Sequence, residues 1–117
     1  MPREIVNVDL SHPQFSGYLT KRSSWLKEWR RRYFVLKGDK LYFAKNVNVP
    51  PHGVIDLSQC QTVKGADDQT HKKHSIEVAT SKESFYMYAE SEKDKNEWIG
   101  AIGRALVNRI PSLSESE

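Results

Sequence analysis

The sequence predicts a mainly β fold, with seven short antiparallel strands bent into a barrel or sandwich and one amphipathic helix at the C-terminal end. The first observation is a series of short segments rich in aromatic and β-branched residues, separated by turn residues, that begins at Phe15. The second is a change of hydrophobic period from two to about 3.6 near Trp98. The 117 residues leave room for one domain with one modest core.

The strands follow from the alternation of apolar and polar residues between turn signals. We expect them at residues 15–22, 30–37, 40–46, 53–57, 60–64, 74–80 and 84–89. Gly38-Asp39 predicts a tight turn between the second and third strands. Polar or proline-containing loops are expected at 48–53 and 65–73.

The C-terminal helix is predicted from apolar residues at i, i+3, i+4, i+7 and i+8, namely Trp98, Ala101, Ile102, Ala105 and Leu106. Ser91 is placed to cap its first turn, and Pro111 to end it. These elements predict an N-terminal extension over 1–14, a folded domain over 15–110 and a disordered tail over 111–117.

Composition and the N-terminal residues limit how the protein can contact a membrane. No apolar run approaches the roughly 20 residues that a spanning helix needs, and the first residues contain no signal-peptide core. Pro2 is incompatible with N-terminal myristoylation. Cys60 is the only cysteine, so neither an internal disulfide nor a cysteine-rich zinc site is expected. The sequence therefore predicts a cytoplasmic protein whose membrane contact is peripheral.

Positive charge is concentrated in one segment. Residues 21–45 contain nine cations against two acids, a charge of +7, whereas the whole chain carries +3. The nine cations are Lys21, Arg22, Lys27, Arg30, Arg31, Arg32, Lys37, Lys40 and Lys45. A chain polarised in this way presents a positive end to an anionic partner, which at this level could be lipid, nucleic acid or an acidic protein.

Strand periodicity places part of this charge on the core side of the sheet. In the strand over 30–37, Arg30 and Arg32 share a face with the core candidates Phe34 and Leu36. Because guanidinium groups are not buried unpaired, this strand should begin at the open mouth of the barrel. Lys21 reaches the same mouth from the preceding strand. Three converging cations suit a multiply charged phosphate ligand.

Two segments and one tryptophan resemble a known family. GYLTK at 17–21, RRRYFVL at 30–36 and Trp98 are similar to the opening strands and the helix tryptophan of a pleckstrin homology domain. The resemblance covers about 15–109 and implies a seven-stranded bent barrel capped by a C-terminal helix. It implies phosphoinositide binding through Lys21, Arg30 and Arg32, which match the family's basic pattern. The alternative for these arginines is a solvated rim.

One position departs from the family's pattern for highly phosphorylated ligands. Members that read such inositides often place a tyrosine hydroxyl on the third strand, where this chain has Phe43. We therefore expect no strong preference for the trisphosphate over mono- and bisphosphates, with the 3-monophosphate as one choice.

Two further segments are candidates for contact with a membrane. Trp25 and Leu26, flanked by polar and basic residues at the tip of the first loop, are candidates for insertion into the bilayer interface. The alternative is that Trp25 packs back on the base of its own loop. Lys73, between Lys72 and His74, is a candidate for a second basic wall of the phosphate site.

Enzymatic, metal and cofactor functions are not supported by any motif. His71 and His74 lack a partner with metal-ligand spacing. No glycine-rich phosphate loop, G-x-S-x-G elbow or H-E-x-x-H motif is present. We predict no catalysis and no cofactor.

The predicted protein is a monomer that docks on phosphoinositides in an anionic endosomal or plasma membrane. The main alternative is a protein-interaction module on the same fold, with weak or no lipid binding. A nucleic-acid platform built on Trp25, Trp29 and Tyr33 is disfavoured because Tyr33 lies on the opposite face from Arg32. A helical calmodulin-type target over 25–36 is disfavoured by the β-rich Tyr33-Phe34-Val35 run.

Overall fold

Alternating apolar residues form a seven-stranded antiparallel sheet followed by one long helix, so the predicted fold class is confirmed. The computed structural model describes residues 8–23 and 25–108. In these ranges the strands are β1 (Phe15–Arg22), β2 (Trp29–Lys37), β3 (Lys40–Ala44), β4 (Gly53–Asp56), β5 (Cys60–Gly65), β6 (Ser75–Thr80) and β7 (Ser84–Tyr88). The helices are α1 (Asp67–Thr70) and α2 (Glu92–Asn108), and a 3-10 turn at Leu57–Gln59 joins β4 to β5.

The strand order β4-β3-β2-β1-β7-β6-β5 places β1 in the middle of the sheet. β1 pairs with β2 over all of Phe15–Arg22 but with β7 only at Thr20 and Lys21. Because successive strands are antiparallel, the β1–β2 and β3–β4 loops lie at one end of the sheet, which we call the mouth. The β2–β3 turn, where Gly38 has a φ of 64° that favours glycine, lies at the other end.

The inner face of the sheet and one stripe of α2 enclose the core. Trp98 is its largest helical contribution, and its ring packs edge-on against Phe15 with centroids 4.7 Å apart and against Phe34 at 6.3 Å. The helical positions Ala101, Ile102 and Ala105 are buried with it, as the apolar stripe predicts. Replacing a buried tryptophan of this kind by alanine costs about 3–5 kcal/mol, so α2 is part of the fold rather than an appendage.

Inside the range expected to be a polar loop, the structure forms the short helix α1. The Asp67 carboxylate holds it in place, because it accepts hydrogen bonds from the backbone N–H groups of His74 and Ser75 and from the Lys95 ammonium at 3.0–3.1 Å. The bond from Lys95 is the main reason that the pKa of Asp67 falls to about 2. The sequence did not reveal α1 because Lys95, which binds the Asp67 carboxylate, lies 28 residues further along the chain.

The remaining boundaries are close to those expected. Ser91 Oγ accepts a bond from the Asp94 N–H at 3.1 Å and caps α2, as predicted. The Gln14 side chain bonds both to the N–H and to the carbonyl of Gly38, which ties the N-terminal segment to the β2–β3 turn. The predicted tail over 111–117 and Pro111 lie outside the described residues, and the domain boundaries stay predictions. Within the described residues, no helix has the length and apolar character needed to cross a bilayer.

Candidate functional site: a basic cleft at the mouth of the sheet

The structure brings the three predicted phosphate-binding residues together at the mouth. Lys21 lies opposite Arg30 in the β1–β2 register, and Leu19 lies opposite Arg32. Deeper along the same face Leu19 and Phe34 are buried, so the cations continue the core-facing side into solvent. All three line one cleft of about 150 Å³, together with Ser23, Phe43 and His52.

The positive charge in this cleft is incompletely neutralised by the protein. Arg30 forms an ion pair with Glu28. Lys21 and Arg32 have no carboxylate oxygen within 4.0 Å among residues 8–23 and 25–108, and each donates only to a backbone carbonyl. Glu83 acts on Lys21 only as a more distant charge. An anion in the cleft would therefore meet two cations that lack an acidic partner.

Burial raises the free-energy cost of these unpaired charges. The pKa of Lys21 is lowered, chiefly because its ammonium is partly removed from water. The charge of Glu83 opposes this shift and that of Arg32 adds to it. The pKa of Arg32 is lowered by burial and then by Arg30. The Lys21 Nζ atom lies 5.1 Å from the ring centroid of Phe43 and 5.5 Å from that of Phe85. Two aromatic rings thus hold the ammonium in place where a carboxylate would otherwise be expected.

Phe43 forms an apolar wall of the cleft. Its ring occupies the space in which residue 53 would carry a side chain, because a Cβ at Gly53 would clash with the Phe43 Cζ atom. Position 53 therefore requires glycine, and the tip of the phenyl ring rests against the first residue of β4. The ring offers no hydrogen bond to a ligand.

Two residues that line the cleft, Ser23 and His52, were not predicted from the sequence. Ser23 Oγ accepts hydrogen bonds from the backbone N–H groups of Leu26 and Glu28 at 3.1 and 3.4 Å, which ties the two sides of the β1–β2 loop together beside the cleft. His52 lies at the end of the β3–β4 loop, and its N–H bonds to the Phe43 carbonyl at 3.0 Å. The only sequence signal for His52 is its position just before β4, and the length of the preceding loop does not determine the register.

The β1–β2 loop projects its apolar residues into solvent. Trp25 is 87% exposed and Leu26 is 51% exposed. Trp25 therefore does not pack back on the base of its loop, which was the alternative to membrane contact. Since Ser23 of the same loop lines the cleft, these two side chains stand beside the charged site.

The predicted second basic wall is not assembled around this cleft. Lys73 is exposed and does not line it, and its contact with a ligand stays a prediction. The Lys72 ammonium lies over Trp29 and Tyr88, 5.8 Å from each ring centroid, on the outer face of the sheet. His74 Nδ1 contacts Glu92 at 3.1 Å. Over residues 8–23 and 25–108, no group of three His, Cys, Asp or Glu side chains is placed to hold a metal ion.

Comparisons with known proteins agree with this fold. The PH domain family model matches residues 13–107. "Pleckstrin homology domain-containing protein 1" of Arabidopsis thaliana is 41% identical, with 92% of this chain and 78% of that protein covered. A PH domain-containing protein of Dictyostelium discoideum is 44% identical over 77% of this chain, which spans only 20% of that relative. The C-terminal PH domain of pleckstrin, solved with an inositol pentakisphosphate, has a TM-score of 0.65 and 28% identity, with 78% of this chain and 95% of that one covered.

Proposed function

The chain belongs to the pleckstrin homology (PH) domain family, and on that premise we propose that it binds phosphoinositide headgroups and docks on anionic membranes. Lys21, Arg30 and Arg32 hold the phosphates, and Trp25 and Leu26 enter the bilayer beside them. PH domains commonly bind phosphoinositides, and the pleckstrin neighbour holds an inositol phosphate. The PH domain is a non-catalytic module, and we expect no enzymatic activity of this chain.

The observation that carries the proposal is the convergence of three cations in one cleft, two of them without an acidic partner in the described chain. A phosphate dianion would restore favourable interactions to ammonium and guanidinium groups that burial has partly deprived of water. Each hydrogen bond to a charged group contributes about 1.5–3 kcal/mol. Two or three such bonds would contribute about 3–9 kcal/mol, whereas a dissociation constant of 1 µM corresponds to about −8 kcal/mol. Firm docking therefore also needs the contribution of the apolar loop.

The exposed loop supports peripheral docking rather than capture of a free headgroup alone. Attraction to an anionic surface contributes about 1 kcal/mol per basic residue, which seldom suffices for firm attachment. Insertion of Trp25 and Leu26 next to the cleft would add an apolar contribution in the same orientation. We place the protein in the cytoplasm, peripheral on endosomal or plasma membranes.

Vesicle sedimentation of the whole chain tests the proposal. One set of phosphatidylcholine vesicles contains a few mole per cent of a phosphoinositide, and a second contains phosphatidylserine at equal total charge. We expect clear preference for the phosphoinositide vesicles, with single-stranded RNA bound no better than the phosphatidylserine set at the same salt. Equal binding to both vesicle sets would show attraction without a headgroup site, and preferential RNA binding would favour a nucleic-acid function.

A protein-interaction function is favoured by a different surface. An apolar pocket of about 210 Å³ lies on the outer side of β2 and β3, lined among others by Leu10, Tyr33, Val35 and Val47. An extended apolar peptide is the ligand that such a groove fits. Binding of such a peptide that survives Arg30→Ala with Arg32→Ala, in a protein that does not sediment with vesicles, would make this the main function.

A further inference from the structure

His52 stands where a ligand in the cleft would meet it. It is half-buried, and it lines the cleft together with Lys21, Arg30 and Arg32. Two contacts fix its position. The backbone N–H of His52 donates a hydrogen bond to the Phe43 carbonyl at 3.0 Å, and the imidazole packs edge-on against the Phe43 ring with the centroids 5.3 Å apart. Within the described residues, the His52 imidazole forms no ion pair and no side-chain hydrogen bond. The ring is therefore positioned by the fold while its nitrogens stay available to a ligand.

We propose that His52 is a fourth phosphate-binding residue of the cleft and that its protonation strengthens headgroup binding below neutral pH. This inference rests on the proposed function. The neutral imidazole has one N–H donor, whereas the protonated ring has two donors and a positive charge. The protonated ring is thus the better partner for a phosphate.

The charges around His52 explain why the proton would arrive with the ligand. The side chains that act on it are Lys21 from β1, Arg32 from β2 and Lys45 just after β3, and all of them are cationic. Among the acids of this region, Glu28 is paired with Arg30 and Glu83 acts on Lys21. Burial first, and then these three cations, lower the pKa of His52 below its usual range. In the unliganded protein at neutral pH the ring is therefore uncharged.

A phosphate in the cleft would reverse the sign of the electrostatic effect that its surroundings have on the His52 imidazole. Its negative charge screens Lys21 and Arg32 and becomes the nearest charged neighbour of the imidazole, so the pKa of His52 rises on binding. Because the bound pKa exceeds the free pKa, affinity increases as the pH falls through the bound value and levels off below the free value. A single proton allows at most a tenfold change per pH unit.

Calorimetric titration with a soluble inositol bisphosphate, between about pH 8 and about pH 5.5, separates this effect from titration of the ligand itself. Phosphate monoesters also take up protons near pH 6. That contribution cancels in the ratio of dissociation constants between His52→Gln and the wild type. We expect the ratio to rise from about twofold at the alkaline end to about tenfold at the acidic end. Titration in buffers of different ionisation enthalpy should show proton uptake by the wild type that is reduced in His52→Gln.

Two further variants complete the test. His71→Asn is the matched histidine control, because His71 is exposed and has a φ of 61°, a conformation that asparagine tolerates. It should retain the pH dependence of the wild type. His52→Lys keeps a positive charge throughout the range and should flatten the pH dependence, with thermal unfolding confirming that each variant is folded.

The outcomes distinguish this inference from the proposed function. Wild-type binding with a ratio that stays constant across the pH range would overturn the role of His52 and leave the cleft intact. Loss of the pH dependence in His71→Asn would overturn it as well. Failure of the wild type to bind the inositol bisphosphate at every pH would overturn the proposed function, and the role of His52 with it.

Discussion

The β1–β2 hairpin carries cations on both of its faces, but it uses them differently. On the inner face, Lys21 and Arg32 point into the cleft without an acidic partner among the described residues. On the outer face, the Arg31 guanidinium lies 3.7 Å from the centroid of the Tyr18 ring and 3.4 Å from Glu90. Arg22 lies 4.8 Å from the centroid of the Tyr86 ring. The outer cations already have partners within the protein.

This difference shows that charge density alone does not locate a binding site. Residues of the two faces alternate along each strand. The inner and the outer cations therefore belong to the same basic segment and lie at nearly the same distance from the mouth. A cation stacked on an aromatic ring gains about 0.5–1 kcal/mol at an exposed position and would lose part of it on turning toward a ligand. Among the inner cations, Arg32 has no comparable interaction within the described residues. Lys21 lies over Phe43 and Phe85 and Arg30 is paired with Glu28, but both already line the cleft and need not turn to meet a ligand. Ligand binding should therefore depend on the inner face.

The comparison is tested most directly by two double variants that remove the same charge. Arg30→Ala with Arg32→Ala removes two inner guanidinium groups, whereas Arg22→Ala with Arg31→Ala removes two outer ones. We expect the inner variant to bind a soluble inositol phosphate at least about 100-fold more weakly, since two charge-assisted contacts contribute about 3–6 kcal/mol. The outer variant should change by less than about threefold. Calorimetric titration measures both.

Vesicle binding and thermal unfolding provide the controls for these variants. Both should lose the same nonspecific attraction to phosphatidylserine vesicles, since each removes two positive charges. The inner variant should unfold near the wild-type temperature because its arginines lie at a solvated rim. Equal losses of headgroup affinity would show that net charge, not geometry, governs binding.

Local periodicity explains which parts of this site could be read from the sequence. The sequence predicted the three cations at the mouth because alternate residues of a strand share a face. Lys21 follows Leu19 on the inner face of β1, and Arg30 and Arg32 precede Phe34 on the inner face of β2. The closed fold and α2 followed from similarly local patterns. His52 was not expected, because its place depends on the pairing of Phe43 with Gly53 across a loop of eight residues. Lys72 and the helix α1 likewise depend on contacts with distant elements.

Lys21 offers a sharper test because stability and binding should respond in opposite directions. Its pKa is lowered in the folded protein, so the unfolded chain binds more protons between the two pKa values, and the free energy of unfolding rises with pH there. At neutral pH the folded state therefore carries the full cost of the partly buried charge. Lys21→Met should raise the free energy of unfolding by about 0.5–1 kcal/mol and weaken headgroup binding by about 10- to 30-fold.

Urea unfolding and calorimetric titration of the same preparation measure these two effects of Lys21→Met. Lys40→Met is the matched control, because burial is not the main influence on Lys40: bonds to Asp39 raise its pKa, and it lies at the opposite end of the sheet. It should lower stability slightly and leave headgroup affinity unchanged. A Lys21 variant that is less stable than the wild type would identify the lysine as a structural residue held by Phe43 and Phe85.

The apolar loop should contribute to vesicle binding without contributing to headgroup affinity. Replacing both Trp25 and Leu26 by serine should weaken binding to phosphoinositide vesicles by about tenfold, which is part of the roughly 1.5–3 kcal/mol that burying one large apolar side chain contributes. Affinity for the soluble inositol phosphate should change by less than about twofold. Sedimentation and calorimetry are the two measurements.

Val107→Ser supplies the matched control for the loop variant. Val107 is 66% exposed and belongs to the C-terminal part of α2, where Ala105 and Asn108 meet Gly38 and Asp39 at the end of the sheet opposite the mouth. Removing this apolar group should leave vesicle binding unchanged. If Trp25→Ser with Leu26→Ser weakened the soluble and the vesicle assays equally, the loop would act on the cleft itself instead of on the bilayer.

The smallest expected effect concerns ligand selectivity at Phe43, which lines the inner cleft without offering a hydrogen bond. Phe43→Tyr adds a hydroxyl at the ring tip, and a phosphate that gains a donor there should be held more tightly. The tip already rests against Gly53, so the hydroxyl starts close to the β4 backbone and not in the middle of the cleft. We therefore expect only about a threefold rise in trisphosphate affinity relative to the 3-monophosphate, below the full value of a charge-assisted bond. Competition binding with the two soluble headgroups measures this ratio. A wild-type preference for the trisphosphate of about tenfold or more would show that the cleft selects it without a hydroxyl at position 43.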